Sequence, residues 1–489
     1  MRVAEACSYR NVEVLRNEQF TTGPHAPRRV SRRDFIKFTT GALIPFVLPR
    51  AIFGDQLSGL QNSELVRIRE KPRNIIFIFL DGGASNLETF DPRSHVIGDS
   101  NFAPDEIRGD FGQSKSDENT GVRISKLLPE IQKRMGHAAL IRTIKHDNFD
   151  HDQAYAISLT GSEVLKSRSG AIPLYDNPFV SLSKDHYKYG GFITLHTHSR
   201  YNPGGPLQAN QGLFVRCDFN NNLQYTPQFG TNFNPAEIRR RLGFAQKLWK
   251  GENLIDPRCE TYGGKLDQAL ELIESGLLKA FEINDVSEFD KERYGMNIEG
   301  NSFATACFTA RQLIEKSEEL LTMEQLRQEQ VEGISSAEDK KLDGVGVVSV
   351  SNPYWDDHNK LKQFIVPRTH KLDKGVSALI DDIVSGRLEN TILVLSGGEF
   401  GRTFKIDPKT EGRHHWPHSN FLLVVGPEGV IVPGVRDSTD RQGFQKTGKE
   451  CYASQLGDTI VELIGFKRIN KETGLAFEGF SDYVTKSTA

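Results

Sequence analysis

The chain has few cysteines, no long hydrophobic run and no excess of charge of one sign. Its 489 residues include five cysteines, none in a C-x-x-C spacing, which argues against a disulfide scaffold or a zinc site with cysteine ligands. A single pair such as Cys217 with Cys259 stays open. The 61 Lys and Arg residues nearly balance 64 Asp and Glu residues, so no global field would attract nucleic acid or an anionic membrane. A local site must therefore carry the function.

The N-terminal region resembles a twin-arginine export signal. Arg32 and Arg33 are followed by Phe35-Ile36-Lys37 and then by the apolar stretch 42–48, which is too short to cross a bilayer because that needs about 20 apolar residues. An ordinary basic amphipathic helix is the alternative, but Pro45 and Pro49 would break it. The resemblance implies that residues 1–55 are a leader. It also implies that the twin-arginine translocation machinery exports the folded protein to the periplasm or beyond, with no membrane span in the mature form.

Short apolar runs alternate with segments of helical periodicity from residue 74 onward. The run 74–80 is apolar at nearly every position, as in a strand buried on both faces of a parallel sheet. This alternation predicts an α/β fold with a doubly wound, mostly parallel sheet and helices on both faces, whose functional groups lie at the carboxyl ends of the strands. Further strands are expected at 138–141, 345–350, 391–395 and 421–425, and helices at 124–135, 236–250, 266–281, 303–330, 375–388 and 454–464.

Residues 167–235 depart from this pattern because they are rich in Gly, Asn, Pro and aromatic residues. We expect them to form a loop-rich insertion over the site, whose aromatic part 201–233 would suit stacking against sugars. A surface excursion without a role is the alternative. The expected organisation is a leader, 1–55, and one domain, 73–480, that contains this insertion.

Five clusters of polar residues lie next to predicted strands, and six of the 13 histidines fall within them. Carboxylates and imidazoles packed so densely beside buried strands need a partner, and a divalent cation is the simplest one. Taken singly, each cluster also fits a polar turn or a capped helix terminus. The concentration of histidines favours a metal site. The clusters are 81–83, 146–152, 355–358, 396–403 and 412–418.

The order of these residues resembles the ligand set of the alkaline phosphatase superfamily. The chain is more closely similar to a bacterial family called domain of unknown function 1501, whose members join a twin-arginine leader to such a body. The resemblance covers about 73 to 479 and implies an alkaline phosphatase-like, or sulfatase-like, fold. The matching stretches are 79–83, 89–92, 146–148, 159–161, 355–358, 398–403 and 412–417, where His414 replaces the usual Asp.

Carried over residue by residue, the resemblance implies a site for one or two divalent metal ions. One ion would be bound by Asp356, His358 and His415, and a second by Asp81 and Glu399 together with the nucleophile. Asp, Glu and His ligands admit zinc, manganese, calcium or magnesium to differing degrees.

The nucleophile position departs from the superfamily pattern. Sulfatases place a reactive Cys or Ser nine positions before the Thr of a Thr-Gly pair, and counting back from Thr160 reaches His151. Three outcomes stay open: a phosphohistidine-type intermediate, a metal ligand with water as the nucleophile, or loss of catalysis. Ser85 and Thr89 are fallback nucleophiles, although hydroxyls near a helix start are more often caps.

The leading hypothesis is an exported, metal-dependent hydrolase of phosphate or sulfate esters that acts on a small molecule, a polysaccharide or an envelope polymer. With water as the nucleophile, we expect His146 to shuttle the proton and Arg402 or Arg142 to neutralise the ester oxygens. The rival is a non-catalytic, metal-stabilised binding protein that has lost the superfamily nucleophile. The export signal argues against a third hypothesis, a phosphomutase, because that enzyme needs a cytosolic sugar phosphate.

Overall fold

The computed structural model describes residues 63–69, 72–92, 121–161, 178–182, 186–187, 192–196, 214–216, 275–281, 285–330, 344–440 and 442–486, with the single residues 240, 283 and 342. The expected leader, most of 167–235 and nearly all of the expected helix 236–250 lie outside the described residues. The β-strands are β1 (Ser63–Arg67), β2 (Asn74–Leu80), β3 (Ala138–Ile141), β4 (Ile144–Lys145), β5 (Phe192–His196), β6 (Phe214–Arg216), β7 (Val347–Asn352), β8 (Thr391–Ser396), β9 (Gly401–Arg402), β10 (His415–Trp416), β11 (Leu422–Val425), β12 (Gly434–Val435), β13 (Ser438–Thr439), β14 (Gln445–Thr447), β15 (Cys451–Tyr452) and β16 (Phe466–Asn470). The α-helices are α1 (Pro129–Gln132), α2 (His151–Thr160), α3 (Pro178–Ser181), α4 (Glu288–Tyr294), α5 (Ser302–Gln330), α6 (Leu361–Val384) and α7 (Leu456–Leu463).

The central sheet of the described residues has eight strands in the order β12-β3-β11-β8-β2-β7-β5-β6. β2 pairs in parallel with both β7 and β8, and β5 pairs in parallel with β7 and β6. β11 runs antiparallel to its two neighbours, β3 and β8. The predicted α/β class with a mostly parallel sheet is confirmed.

β2 shows why this sheet must be covered on both sides. All seven of its residues are buried. Because side chains alternate along a strand, Ile76 and Ile78 join one apolar cluster, while Phe77 and Phe79 join another on the opposite face. The first cluster packs beneath α5 and α6, and the second packs beneath α2 and α7.

Two of the segments with helical periodicity contain the helices that they predict. α5 and α7 lie where 303–330 and 454–464 predicted helices. α6 begins at Leu361, well before the expected start at 375. The additional turns contain Pro367, which lies inside the helix and does not end it. The expected helix 124–135 is mostly irregular and contains only the single turn α1. Of 266–281, the described residues include a short 3₁₀ helix, Leu277–Phe281.

Two stretches of the expected insertion belong to the central sheet instead. β5 and β6 lie within 167–235, and they extend the sheet in parallel beyond β7. Ile193 and Leu195 of β5 are buried in the core. These two strands therefore attach part of 167–235 to the β7 edge of the sheet by parallel pairing. In the described part of the chain, no helix combines the length and the apolar character needed to cross a membrane.

Candidate metal centre

The predicted metal ligands gather at one edge of the central sheet. β2, β7 and β8 are parallel, so their carboxyl ends share this edge, and Asp81, Asp356 and Glu399 lie in the loops that follow them. β11 runs the opposite way, so the segment before it also reaches this edge and carries His415 on β10. His151 is the first residue of α2, which follows β3 and β4.

Four side chains form a compact group: His151, Asp356, His358 and His415. Their candidate ligand atoms all lie within 4.8 Å of one another. Nε2 of His358 is 2.9 Å from Nε2 of His415 and 3.0 Å from Oδ1 of Asp356. Three imidazoles and one carboxylate are donors that suit zinc and other borderline cations. The Asp356 side chain is 43% exposed, so solvent and a substrate can reach this four-residue group.

His151 is held between two carboxylates. The Asp150 side chain caps α2 by accepting from the backbone N–H of Gln153 at 3.1 Å, which fixes the helix start at which His151 stands. Nδ1 of His151 is 2.5 Å from Oε1 of Glu399, and its Nε2 is 3.5 Å from Oδ2 of Asp356. Burial alone would lower the pKa of the His151 imidazole, but its contacts with Asp356 and Glu399 raise that pKa to about 9.

Glu399 lies beneath the four-residue group and is only 1% exposed. Its carboxylate accepts the backbone N–H of Gly82 at 3.1 and 3.0 Å in addition to its contact with His151. The two glycine-rich turns, 81–83 and 397–401, pack so closely that a Cβ on Gly398 would lie 2.2 Å from the carbonyl oxygen of Leu80. Gly398 also has φ +102°, a conformation that favours glycine.

Asp356 is fixed by a buried arginine. The Arg402 guanidinium donates to Asp356 Oδ1, to the carbonyl of Gly82, to the carbonyl of Gly83 at 2.9 Å and to that of Arg413 at 3.2 Å. Burial alone would raise the pKa of the Asp356 carboxyl, but hydrogen bonds from His151 and His415 and the Arg402 charge hold it well below its usual range. The carboxylate is therefore ionised, as a metal ligand must be.

The other two imidazoles present ring nitrogens to the group. Nδ1 of His415 lies 2.7 Å from the carbonyl oxygen of Phe149, which can only accept, so Nδ1 donates to it and Nε2 faces Asp356 and His358. Burial and the neighbouring Arg402 charge lower the pKa of the His358 imidazole, despite the opposing effect of Asp356. A lowered pKa favours the neutral form that can bind a metal.

A model of the family described as protein of unknown function (DUF1501) matches residues 72–325 and 335–473. The chain belongs to this family. The family expected from the sequence motifs is thereby confirmed. None of the curated proteins compared with this DUF1501 protein matches it by sequence.

Solved structures with a similar chain path include three enzymes that share little sequence with it. The alkaline phosphatase from the Antarctic bacterium TAB5 is 8% identical, with a TM-score of 0.32, and the match covers 81% of this chain and 99% of that one. The phosphonate monoester hydrolase SpPMH from Silicibacter pomeroyi is 12% identical over 85% and 78% of the two chains, with a TM-score of 0.35. The lipoteichoic acid synthase LtaP from Listeria monocytogenes is 10% identical over 84% and 78%, with a TM-score of 0.32.

In this DUF1501 protein, the structure divides the five expected metal ligands into two sets. Asp356, His358 and His415 belong to the four-residue group, whereas Asp81 and Glu399 lie outside it. The Asp81 carboxylate accepts a hydrogen bond from Ser351 Oγ. Glu399 contacts the group through His151.

The two arginines expected to meet the ester both contact other groups of the protein. Arg402 is 1% exposed, and its guanidinium donates to carbonyl oxygens and Asp356 and lies 3.4 Å from Nε2 of His358. Arg142 lies outside the group, where its guanidinium donates to the carbonyls of Phe90 at 2.8 Å and Arg123 at 2.7 Å. Which carbonyl oxygens an arginine meets depends on tertiary packing that the sequence pattern does not contain.

His146 and the fallback nucleophiles also have other contacts. Nε2 of the buried His146 donates to the carbonyl of Ala154 at 3.0 Å, and its Nδ1 accepts the N–H of Asn148 at 2.9 Å, so both ring nitrogens have partners within the segment 146–154. Ser85 Oγ donates to Glu88, and Thr89 Oγ1 donates to the Ser85 carbonyl at 2.6 Å. Both hydroxyls are buried within one turn of chain.

Sequence reasoning missed three groups that shape the site. They are the Phe149 carbonyl, the Ser351 hydroxyl and the Phe400 ring, whose centroid lies 4.9 Å from that of His151 and 4.3 Å from that of His415. Phe400 belongs to the matched stretch 398–403, which was the one available signal. A backbone carbonyl has no sequence signature, and a serine at the end of a strand is too common to indicate a role.

Proposed function

We propose that this DUF1501 protein is a metal-dependent hydrolase of phosphate or sulfate esters. The four-residue group carries the proposal, because three imidazoles and a carboxylate converge within 4.8 Å at an accessible edge of the sheet. Such edges hold the functional sites of doubly wound α/β folds. The order of the ligand residues along the chain, which resembles that of the alkaline phosphatase superfamily, supports the same reaction class.

Three side chains of the group and two of their neighbours have defined tasks in this proposal. Asp356, His358 and His415 would hold the cation, and a divalent ion bound there would polarise the ester and activate water. Arg402 fixes Asp356, while the Phe149 carbonyl fixes the tautomer of His415. The choice between zinc, manganese, calcium and magnesium is part of the test below.

Water is the nucleophile in the proposed reaction. His151 stands where the superfamily has a hydroxyl or thiol, and the hydroxyls of Ser85 and Thr89 are buried and engaged. The water oxygen forms the new bond to phosphorus or sulfur while the bond to the leaving alcohol oxygen breaks. One water proton ends on that alcohol, which leaves a phosphate or sulfate product.

The proposal includes export by the twin-arginine route. It rests on Arg32, Arg33 and the apolar stretch 42–48, and it makes the periplasm or the cell exterior the working compartment. A polysaccharide or another envelope polymer is then an available ester substrate. Replacing both arginines by lysine should retain the protein in the cytoplasm, as measured by fractionation of cells that express the tagged full chain.

The test of the activity is hydrolysis of aryl phosphates and aryl sulfates by the purified full chain, after loading with each candidate metal in turn. We expect release of the phenol to require a divalent metal and to fall at least 100-fold in Asp356→Ala and His415→Ala. The matched control is His137→Ala, which removes an exposed imidazole at the opposite end of β3. Turnover that survives both ligand substitutions would contradict the proposal.

A second candidate function, a non-catalytic binding protein with a structural metal, is favoured by one observation. His151 replaces the expected nucleophile and is tied to Glu399 at 2.5 Å. This candidate predicts that the wild-type chain binds metal but hydrolyses no member of a broad panel of phosphate and sulfate esters. The same assay therefore separates the two functions.

A further inference from the structure

His151 has the hydrogen-bonding pattern of a metal ligand and not that of a nucleophile. Its Nδ1 faces Oε1 of Glu399 at 2.5 Å, and Glu399 is almost completely buried with both oxygens also near the N–H of Gly82. A buried carboxylate that accepts from Nδ1 fixes the proton on that nitrogen. Nε2 then faces Asp356, and a cation bound between them would displace the proton that the metal-free imidazole carries on Nε2, which gives the usual carboxylate–histidine–metal arrangement of protein metal sites.

Two other members of the four-residue group have an outer partner of the same kind. His415 donates Nδ1–H to the Phe149 carbonyl at 2.7 Å, and Asp356 accepts from the buried Arg402 guanidinium. The first contact leaves Nε2 of His415 facing Asp356 and His358, and the second holds Oδ1, the Asp356 oxygen that these two imidazoles face. Outer partners fix the orientation of metal ligands before the ion arrives.

Several separations within the group are near those of a tetrahedral site. Metal–ligand bonds of about 2.0–2.1 Å imply ligand atoms about 3.3 Å apart in a tetrahedron. Nε2 of His358 is 2.9 Å from Nε2 of His415, and these two nitrogens are 3.0 and 3.6 Å from Asp356 Oδ1. Nε2 of His151 is 3.5 Å from the other oxygen, Oδ2, and one ligand atom from each of the four residues lies within 4.8 Å of the rest. The group is therefore small enough for its four side chains to share one cation.

The carboxylates assigned to a second ion are committed to other contacts. Glu399 binds His151 and the Gly82 amide, and the Asp81 carboxylate accepts from Ser351. His151 thus lies between Glu399 and the other three members of the group, and its Nδ1 contacts one oxygen of the Glu399 carboxylate. This arrangement does not fit the two-ion ligand set that the family resemblance implied.

We infer that this protein binds one divalent cation through His151, Asp356, His358 and His415, with Glu399 as the outer partner that orients His151. The donor set of three imidazoles and one carboxylate selects zinc over magnesium or calcium. The inference deepens the proposed function, because it takes the four-residue group as the metal centre of that hydrolase.

The test measures metal binding and does not depend on turnover. The full chain is stripped with a chelator and titrated with Zn²⁺ against a chromophoric competitor, and bound metal is counted by elemental analysis. We expect one Zn²⁺ per chain, a Kd at least 100-fold weaker in His151→Ala and a Kd 10- to 100-fold weaker in Glu399→Ala, with Glu399→Gln less affected because its amide oxygen can still accept from Nδ1. His137→Ala should bind as the wild type does.

Cobalt provides a second readout. Co²⁺ in the wild-type site should give the intense visible absorption of a four-coordinate ion, and His151→Ala should change that spectrum, while circular dichroism of the metal-free variants checks that they fold. Two ions per chain, or a Zn²⁺ Kd in His151→Ala within twofold of the wild-type value, would overturn the inference. Metal-dependent turnover with either of those results would leave the proposed function standing. One tightly bound ion without turnover would leave the inference standing and remove the function.

Discussion

Arg413 and Glu88 form a buried, two-point ion pair in the segments that lead to the four-residue group. Nη2 of Arg413 is 2.7 Å from Oε1 of Glu88, and its Nε is 3.1 Å from Oε2. The same guanidinium donates to the carbonyls of Thr403 at 2.9 Å and Phe404 at 2.8 Å. Because Arg413 precedes His415 by two residues, the pair joins the loop after β2 to the segment that delivers this ligand.

Removing Glu88 should destabilise the fold strongly. In Glu88→Ala the Arg413 charge stays buried without its partner, and we expect the free energy of unfolding to fall by about 3–5 kcal/mol. Glu319→Ala is the control, since its pair with Lys316 is 38% and 60% exposed and should contribute less than about 1 kcal/mol. Urea unfolding of the metal-free proteins measures both values. If Glu88→Ala and Glu319→Ala lost the same free energy of unfolding, the stabilising role of the Glu88–Arg413 pair would be contradicted.

Arg402→Lys should lower the stability of the folded chain and leave substrate binding unchanged. Lysine cannot reproduce the planar set of donors that reaches Asp356 and three carbonyls, so we expect a loss of about 2–4 kcal/mol in the free energy of unfolding of the metal-free chain. Urea unfolding and steady-state kinetics on an aryl ester together check this. An increase in KM at unchanged stability would instead restore Arg402 as a substrate contact.

The tight packing of the two glycine-rich turns gives a matched pair of substitutions. Gly398→Ala places a Cβ at 2.2 Å from the Leu80 carbonyl and also strains φ, so it should cost more than about 3 kcal/mol. Gly386→Ala has a comparable φ of +82° but no atom within 4 Å of the new Cβ, and it should cost only about 1–2 kcal/mol. Similar midpoints in urea for the two variants would show that close packing at Gly398 is not what requires glycine.

The carboxyl of Glu318 on α5 should make a pH-dependent contribution to the stability of the fold. Burial, with the nearby charges of Glu389 and Glu315, raises the pKa of the Glu318 carboxyl to about 7 from an ordinary value of 4.5. The native state therefore binds the proton more tightly than the unfolded state, so the stability from this group is fully present below about pH 4.5 and is lost as the pH rises through about 7.

Glu318→Gln should remove the loss of stability that ionisation of Glu318 causes as the pH rises. We expect the variant to be about 1–2 kcal/mol more stable than wild type at pH 8, a figure already reduced for partial solvent exposure, with a smaller difference at pH 5. Thermal unfolding at the two pH values measures it, with the exposed Glu319→Gln as control. A constant difference between Glu318→Gln and wild type from pH 5 to pH 8 would show that Glu318 does not titrate as described.

Periodicity predicted the parts of the fold in which local pattern and burial agree. The run 74–80 is apolar throughout because β2 is buried on both faces, and that environment can be recognised from sequence. β5 and β6 could not be found in this way, since they are short strands in a stretch rich in Gly and Asn. The start of α6 was missed because Pro367 suggests a break, whereas packing against α5 and α1 keeps the helix continuous.

The same limit applies to the site. The family resemblance predicted that Asp356, His358 and His415 lie together, and the structure brings their side chains into one group. The contact between His151 and Glu399, which are 248 positions apart in the chain, depends on how two glycine-rich turns interlock. No local pattern contains that information, and so the division between inner ligands and outer partners emerged only from the structure.

The most direct test of the central claim is a titration of metal-free protein with Zn²⁺ in which bound metal and aryl phosphate or aryl sulfate hydrolysis are followed together. The account predicts that turnover rises in proportion to bound metal, stops rising when the site is full, and is absent in His415→Ala. The account would be contradicted if the protein bound one Zn²⁺ per chain but hydrolysed no ester in a broad panel, and if manganese, magnesium and calcium also gave no hydrolysis.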